Sequence, residues 1–141
     1  MNLEEKKQQL IADLSLIEDI EERFEYIIDR GKDAAGLDQS YKVKTFLIEG
    51  CVSNLWLYPE YKDGKCYYHS DADSLITRGI AALVSQLYSG HLPEEIVKED
   101  ASFLAAVGIT QHLSSNRRNG LTNLCKRIQA FAEVHVEEKN Q

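Results

Sequence analysis

Leu55-Trp56-Leu57-Tyr58-Pro59-Glu60-Tyr61-Lys62-Asp63-Gly64-Lys65-Cys66-Tyr67-Tyr68-His69 is the stretch on which the fold turns. Asp-Gly is the two-residue signature of a tight hairpin, whose turn needs positive φ at both central positions. It joins an aromatic and aliphatic run ending near Tyr61 to a second run over residues 66–69. Pro59 predicts that the first of these runs becomes irregular or edge-like before the turn. Upstream, Phe46-Leu47-Ile48 reads as a further strand that leads into Gly50-Cys51.

On both sides of this β segment the periodicity is helical. Leu3, Leu10, Leu14 and Ile17 recur at helical spacing, and Ile20, Phe24, Ile27 and Ile28 repeat the pattern up to Gly31, read as the residue that stops the helix. Asp19 with Glu22 and Ser15 with Glu18 are equally good capping pairs, so the start of the second helix stays open. Residues 31 to about 42 read as a long connection. After Asp71, a broad apolar stripe of Leu75, Ile76, Ile80, Leu83, Val84, Leu87 and Tyr88 ends at Gly90, with Asp71 or Asp73 as its N-cap. Pro93-Glu94-Glu95 opens a short helix, residues 100–107 form another ended by Gly108, and Leu121, Leu124, Ile128 and Phe131 mark a long last helix. The expected fold is therefore α+β: a small antiparallel sheet of about three strands, packed with helices from both ends of the chain, in one domain over residues 1–141.

The composition, 43% hydrophobic and 28% charged, is that of a globular protein able to bury a core without staples. A net charge of −7 argues against nucleic acid or anionic membrane as the main partner and suits a protein with a basic face. The charged start Met1-Asn2-Leu3-Glu4-Glu5-Lys6-Lys7 predicts neither signal peptide nor anchor, and hence a cytoplasmic location. Three cysteines at wide spacings suit a reducing compartment better than a disulfide framework.

The chemistry is sparse. The sequence carries no phosphate-cradling glycine loop, no Cys-x-x-Cys pair and no nucleophile elbow. In Gly50-Cys51-Val52-Ser53-Asn54-Leu55-Trp56 a cysteine stands at a glycine-assisted turn, where a thiolate has the access that reactivity demands. The residue types alone favour the other reading, an inert, buried thiol. Cys66 and His69, three apart on a strand, point to opposite faces and meet on one metal only if the strand breaks. Cys125 beside Leu124 reads as helix-face packing. Arg117 and Arg118 fall near the start of the last helix, where the macrodipole disfavours cations, which invites a carboxylate partner. Asp73 and Arg78 either join such a network, face a partner protein, or form an ordinary surface pair. His112 either titrates near neutral pH or is a satisfied, half-buried side chain.

The blocks Gly50-Cys51-Val52-Ser53-Asn54-Leu55-Trp56, Asp71-Ala72-Asp73 with Arg78-Gly79, and Thr110-Gln111-His112-Leu113 followed by Arg117 and Gly120-Leu121, in this order, resemble the SufE family of cysteine-desulfurase partner proteins, which includes CsdE. The similarity runs from Asp19-Ile20-Glu21-Glu22-Arg23-Phe24 to about Ala132. It implies an α+β fold related to the IscU-type scaffolds. It also implies that Cys51 accepts a sulfur atom as a persulfide from a PLP-dependent cysteine desulfurase of the SufS/CsdA type, stimulates that enzyme, and passes sulfur to a SufB-like cluster-assembly scaffold. Asp73, Arg78, His112 and Arg117 are then residues that dock the partner or orient the loop. Thiol–persulfide exchange of this kind needs no bound cofactor. One departure is Phe46, where the family often has Asn five residues before its cysteine. The rival expectation is an iron–sulfur or zinc scaffold with Cys51, Cys66, His69 and Asp71 as ligands, and a third is an interaction module with inert cysteines.

Overall fold

The computed structural model describes residues 1–50 and 52–139. Its elements, in chain order, are α1 (Leu3–Ser15), α2 (Ile20–Asp33), strands β1 (Leu55–Lys62) and β2 (Lys65–Ala72), α3 (Leu75–Tyr88), α4 (Pro93–Lys98), α5 (Phe103–Ala106) and α6 (Ser115–Lys139). Short 3₁₀ turns cover Gln39–Tyr41, Lys44–Phe46 and Thr110–His112.

Asp63 and Gly64 take φ values of 53° and 79°, the positive-φ pair that the hairpin turn requires. They set an antiparallel register that pairs Leu55 with Ala72 and Lys62 with Lys65. Pro59 sits opposite Tyr68, whose N–H turns away from β1 to donate to Ser89 Oγ at 2.8 Å. This pair exchanges no ladder bonds, so the missing proline N–H lies on the outer edge and the strand stays regular. The outer edge of β2 is closed by the chain after α3: Ser89 Oγ takes the Tyr68 N–H, and Cys66 exchanges 3.0 and 2.8 Å backbone bonds with His91 and Gly90.

The sheet has two strands among the described residues, where three were expected. Residues 43–48 do not form a strand, for a physical reason. Arg127 of α6 reaches back to the carbonyls of Thr45 and Leu47, at 3.5 and 3.3 Å, so part of the polar backbone is satisfied by a side chain. What remains of strand pairing is one bridge, Leu47 to Trp56, and the 2.7 Å bond from Ile48 N–H to the Leu55 carbonyl.

α3 is the central element, with ten buried residues. Ile80, Leu83, Val84, Leu87 and Tyr88 from the predicted stripe are sealed, while Leu75 at its start is 53% exposed. Its N-cap is Ser74, not an aspartate; Asp71 is buried within β2, one residue before its end, and Asp73 precedes the cap. Gly31 does not stop α2 either. It is buried inside that helix, where an added Cβ would lie 2.5 Å from the Cα of Gly79, and one on Gly79 would lie 2.7 Å from the Ile27 carbonyl oxygen. The two glycines let α2 and α3 cross in backbone contact. Asp19 caps α2 through Glu22 N–H, and Asn2 with Glu5 forms a capping box on α1. Gly90 and Gly108 take the positive φ at which the preceding chain turns off. The 100–107 helix shortens to α5 because the Asp100 carboxylate caps a turn at Ser102 instead. Among the described residues, no helix is long and apolar enough to cross a membrane.

Candidate functional site

The bond from Ile48 to Leu55 closes the base of a loop over residues 49–54. Cys51 itself lies outside the described residues; its neighbours define the loop. Gly50 has φ +88°, and a side chain there would meet Asn123 Nδ2 at 2.6 Å, so the position needs glycine for conformation and for space. Asn123 Nδ2 donates to the Glu49 carbonyl at 2.7 Å, one turn of α6 before Arg127 grips the 45–47 segment. On the far side, Asp73 N–H donates to the Asn54 carbonyl at 3.0 Å. Beyond these anchors Val52 stands 83% exposed. The loop is thus held by its backbone while Val52 faces solvent.

Beside it opens a cleft of about 390 Å³. Val52 and Ser53 form the loop wall, and Ser74 with Thr77 come from the start of α3. Ser114, Asn116 and Arg117 come from the start of α6. The first turns of two long helices therefore converge on the loop that carries Cys51.

The predicted docking residues divide. Arg117 lines the cleft and makes no ion pair among the described residues. Asp73 is exposed and touches the loop through its backbone. Arg78 pairs not with Asp73 but with buried Asp71, at 3.6 Å, and donates to the Ala34 carbonyl. Arg118 needs no carboxylate: it donates to the Leu113 carbonyl at 2.7 Å and to Ser115 Oγ, tying the start of α6 to the turn before it. His112 is exposed rather than half-buried, its Nδ1 2.8 Å from the Gly108 carbonyl and its ring edge-on to Phe24. It does not line the cleft.

Asp71 anchors the connection that leads towards the loop. Its carboxylate accepts from Leu37 N–H at 3.0 Å and Ala72 N–H at 2.8 Å, and pairs with Lys42 at 3.1 Å. Burial alone would raise its pKa, but these donors outweigh that and hold it below the ordinary carboxylate value. Lys42 also sits over the Trp56 ring, and Phe46 packs edge-on against Tyr58, 5.1 Å between centroids, in a cluster with Tyr41. Phe46 thus completes an aromatic clasp over β1.

The other two thiols sit in surroundings that disfavour their thiolates, Cys66 in the core and Cys125 half-buried on α6. Cys66 is fully buried, which pushes its pKa up, and burial pushes Cys125 up to about 12. His69 is exposed on the opposite face of β2 and pairs with Glu60 at 3.1 Å, so Cys66 and His69 do not converge. Sequence reading missed Asn123 and Arg127. Their signal was faint: polar residues one turn apart on a helix normally mark a solvated face.

A family model described as SufE, Fe-S metabolism associated domain, matches residues 8–132. The chain is similar to SufE-like protein 1, chloroplastic/mitochondrial, of Arabidopsis thaliana, with 31% identity over 96% of this chain and 37% of that protein. It is similar to the cysteine desulfuration protein SufE of Plasmodium falciparum, with 27% identity over 74% of this chain and 44% of that one. The chain thus spans less than half the length of these two relatives. The solution structure of a hypothetical protein from Thermus thermophilus shares the fold at a TM-score of 0.76, with 15% identity, over 94% of this chain and 96% of that one.

Proposed function

The chain belongs to the SufE family, and on that premise we propose that it is a sulfur-transfer protein whose Cys51 takes persulfide sulfur from a PLP-dependent cysteine desulfurase of the SufS/CsdA type. It stimulates that enzyme and hands the sulfur to a SufB-like cluster-assembly scaffold. In the acceptance step the Cys51 thiolate attacks the outer sulfur of the donor persulfide. A new S–S bond forms on Cys51, the donor's S–S bond breaks, and the donor cysteine leaves as a thiolate with no net oxidation. The observation that carries the reading is the loop over residues 49–54, anchored by its carbonyls and exposed at Val52. A donor persulfide must reach the acceptor thiol closely, and a braced, protruding loop offers that access without local unfolding. Burial raises the pKa of both Cys66 and Cys125, which disfavours the thiolate at each. Arg117 and Asp73 then meet the desulfurase, Arg78 orients the approach through Asp71, and His112 steadies the turn before α6. In this reading residues 1–141 act as one domain in the cytoplasm, without a resident cofactor.

Intact mass spectrometry after incubation with desulfurase and cysteine tests it. Wild type should gain one sulfur and stimulate the desulfurase. Cys51→Ser should do neither, whereas Cys66→Ser and Cys125→Ser should keep most stimulation per folded molecule. Equal loss from all three variants would rule out a single-cysteine relay.

A further inference from the structure

The outer edge of β2 carries a gap. Alternation along the strand directs the N–H and C=O of Cys66, Tyr68, Ser70 and Ala72 away from β1. Cys66 bonds to Gly90 and His91, the Ser89 hydroxyl bonds to both groups of Tyr68, and the Ala72 N–H donates to the Asp71 carboxylate. Neither backbone group of Ser70 has a partner on this edge among the described residues. Ser70 lines instead a second cleft, of about 160 Å³, walled by Ala34, Ala35 and Gly36 after α2 and by Ala82 and Ser85 of α3. Independently, Ser85 is 3% exposed, and its Oγ is buried without a hydrogen-bond partner among the described residues. A hydroxyl buried in this way costs stability unless a ligand satisfies it. The wall after α2 is fixed in advance: Arg78 donates to the Ala34 carbonyl, and the Asp71 carboxylate holds the Leu37 N–H beside Gly36. No Lys, Arg, Asp or Glu side chain lines the cleft, and His69 pairs with Glu60.

We propose that this second cleft is a binding site for a small neutral primary carboxamide. An amide sets one acceptor beside one donor in a plane, which matches the N–H and C=O that one extended residue presents along a strand edge. Its second N–H, or the second lone pair of its oxygen, remains for the Ser85 hydroxyl. A carboxylate has no donor for the Ser70 carbonyl and finds no cation in the walls to offset its desolvation. A ketone leaves that carbonyl unpaired. The volume is close to the ~150 Å³ that holds one benzene molecule. The amide end is therefore enclosed, and the rest of the ligand passes out beside Ala35, which is exposed.

The test needs no desulfurase, so it stands or fails separately from the role of Cys51. Benzamide, benzoate and acetophenone, alike in size and shape, are titrated at constant pH and ionic strength into the ¹⁵N-labelled chain, and amide shifts are followed. Benzamide should saturate, with the largest shifts at residues 34–36, 70 and 82–86. Benzoate and acetophenone should bind at least about tenfold more weakly, because neither donates to the Ser70 carbonyl. Ser85→Ala should weaken benzamide binding several-fold while leaving the urea midpoint of the free protein unchanged or higher, an outcome that a hydroxyl serving only the fold does not give. Ala35→Trp fills the exposed mouth and should abolish binding in a chain that still folds. Absence of saturation, equal affinity for benzoate or acetophenone, shifts centred elsewhere, a midpoint lowered by Ser85→Ala, or binding indifferent to either variant would each overturn the proposal.

Discussion

The two ends of the β1–β2 region hold their backbone in opposite ways. Near the Asp63-Gly64 turn, Cys66 lies under the chain that follows α3, its backbone bonded to Gly90 and His91 and its thiol fully buried. At the other end, beyond the bond from Ile48 to Leu55, the chain leaves the sheet and Val52, next to Cys51, reaches solvent. What separates the ends is how backbone polarity is satisfied. Where strand and following chain bond to each other, side chains are sealed and desolvation disfavours a thiolate. Where side chains of α6 grip carbonyls instead, the backbone is held and the Val52 side chain is left outside.

The largest expected effect falls on the sealed side. Gly79→Ala pushes a methyl group against the Ile27 carbonyl and should cost about 1–3 kcal/mol by overpacking, read as a lower urea midpoint with sulfur acceptance per folded molecule unchanged. An unchanged midpoint would show that α2 and α3 part without cost, and the rigid half of the contrast would be lost.

Asp71 joins the two regions, and its effect should depend on pH. Its folded pKa is lowered, so its stabilisation is fully present above the unfolded carboxylate value of 3.8 and is lost as pH falls through the folded value. Asp71→Asn should therefore cost about 1–3 kcal/mol at pH 7, since several donors lose a charged acceptor, and much less in strong acid. Urea midpoints of both proteins at pH 7 and at low pH check this; a constant gap would mean that the carboxylate charge is idle.

On the braced side, Asn123→Ala removes one side-chain bond to a carbonyl and should cost about 0.5–1.5 kcal/mol. It should also change the rate at which iodoacetamide labels Cys51, with labelling of Cys125 unaltered. A stability change with no change in labelling would make Asn123 a fold contact only. The smallest effect on stability belongs to Arg117→Ala, within about 0.5 kcal/mol for an exposed side chain. Sulfur transfer should nevertheless fall, and its salt dependence should flatten, because a rim charge acts mainly on association. Unchanged transfer with a clearly lower thermal midpoint would make Arg117 structural.

Much of the molecule was legible from local rules. Asp63-Gly64 specifies its turn through backbone conformations available within two residues, and the 3.6-residue period marks α3 and α6 before any partner is known. The cap of α2 was legible only as a choice between Ser15 and Asp19, which the structure settles for Asp19. The motif blocks around Cys51, Asp73 and Arg117 were equally readable, and they pointed to the family. Other features depended on residues far along the chain. Gly31 looks like a helix stop until Gly79 packs on it, and residues 43–48 look like a strand until Arg127 takes their carbonyls. Asp71 looks like a cap until Leu37 and Lys42 close around it. The bond from Asn123 to Glu49 spans 74 residues, and the two helix starts at the cleft are brought together only by the packed core. Turns and periodicity follow from torsions and side chains a few residues apart, so the sequence by itself determines them. Which polar group satisfies which carbonyl, and which helix ends face the same space, depends on contacts that exist only after the chain has folded, so tertiary structure alone decided them.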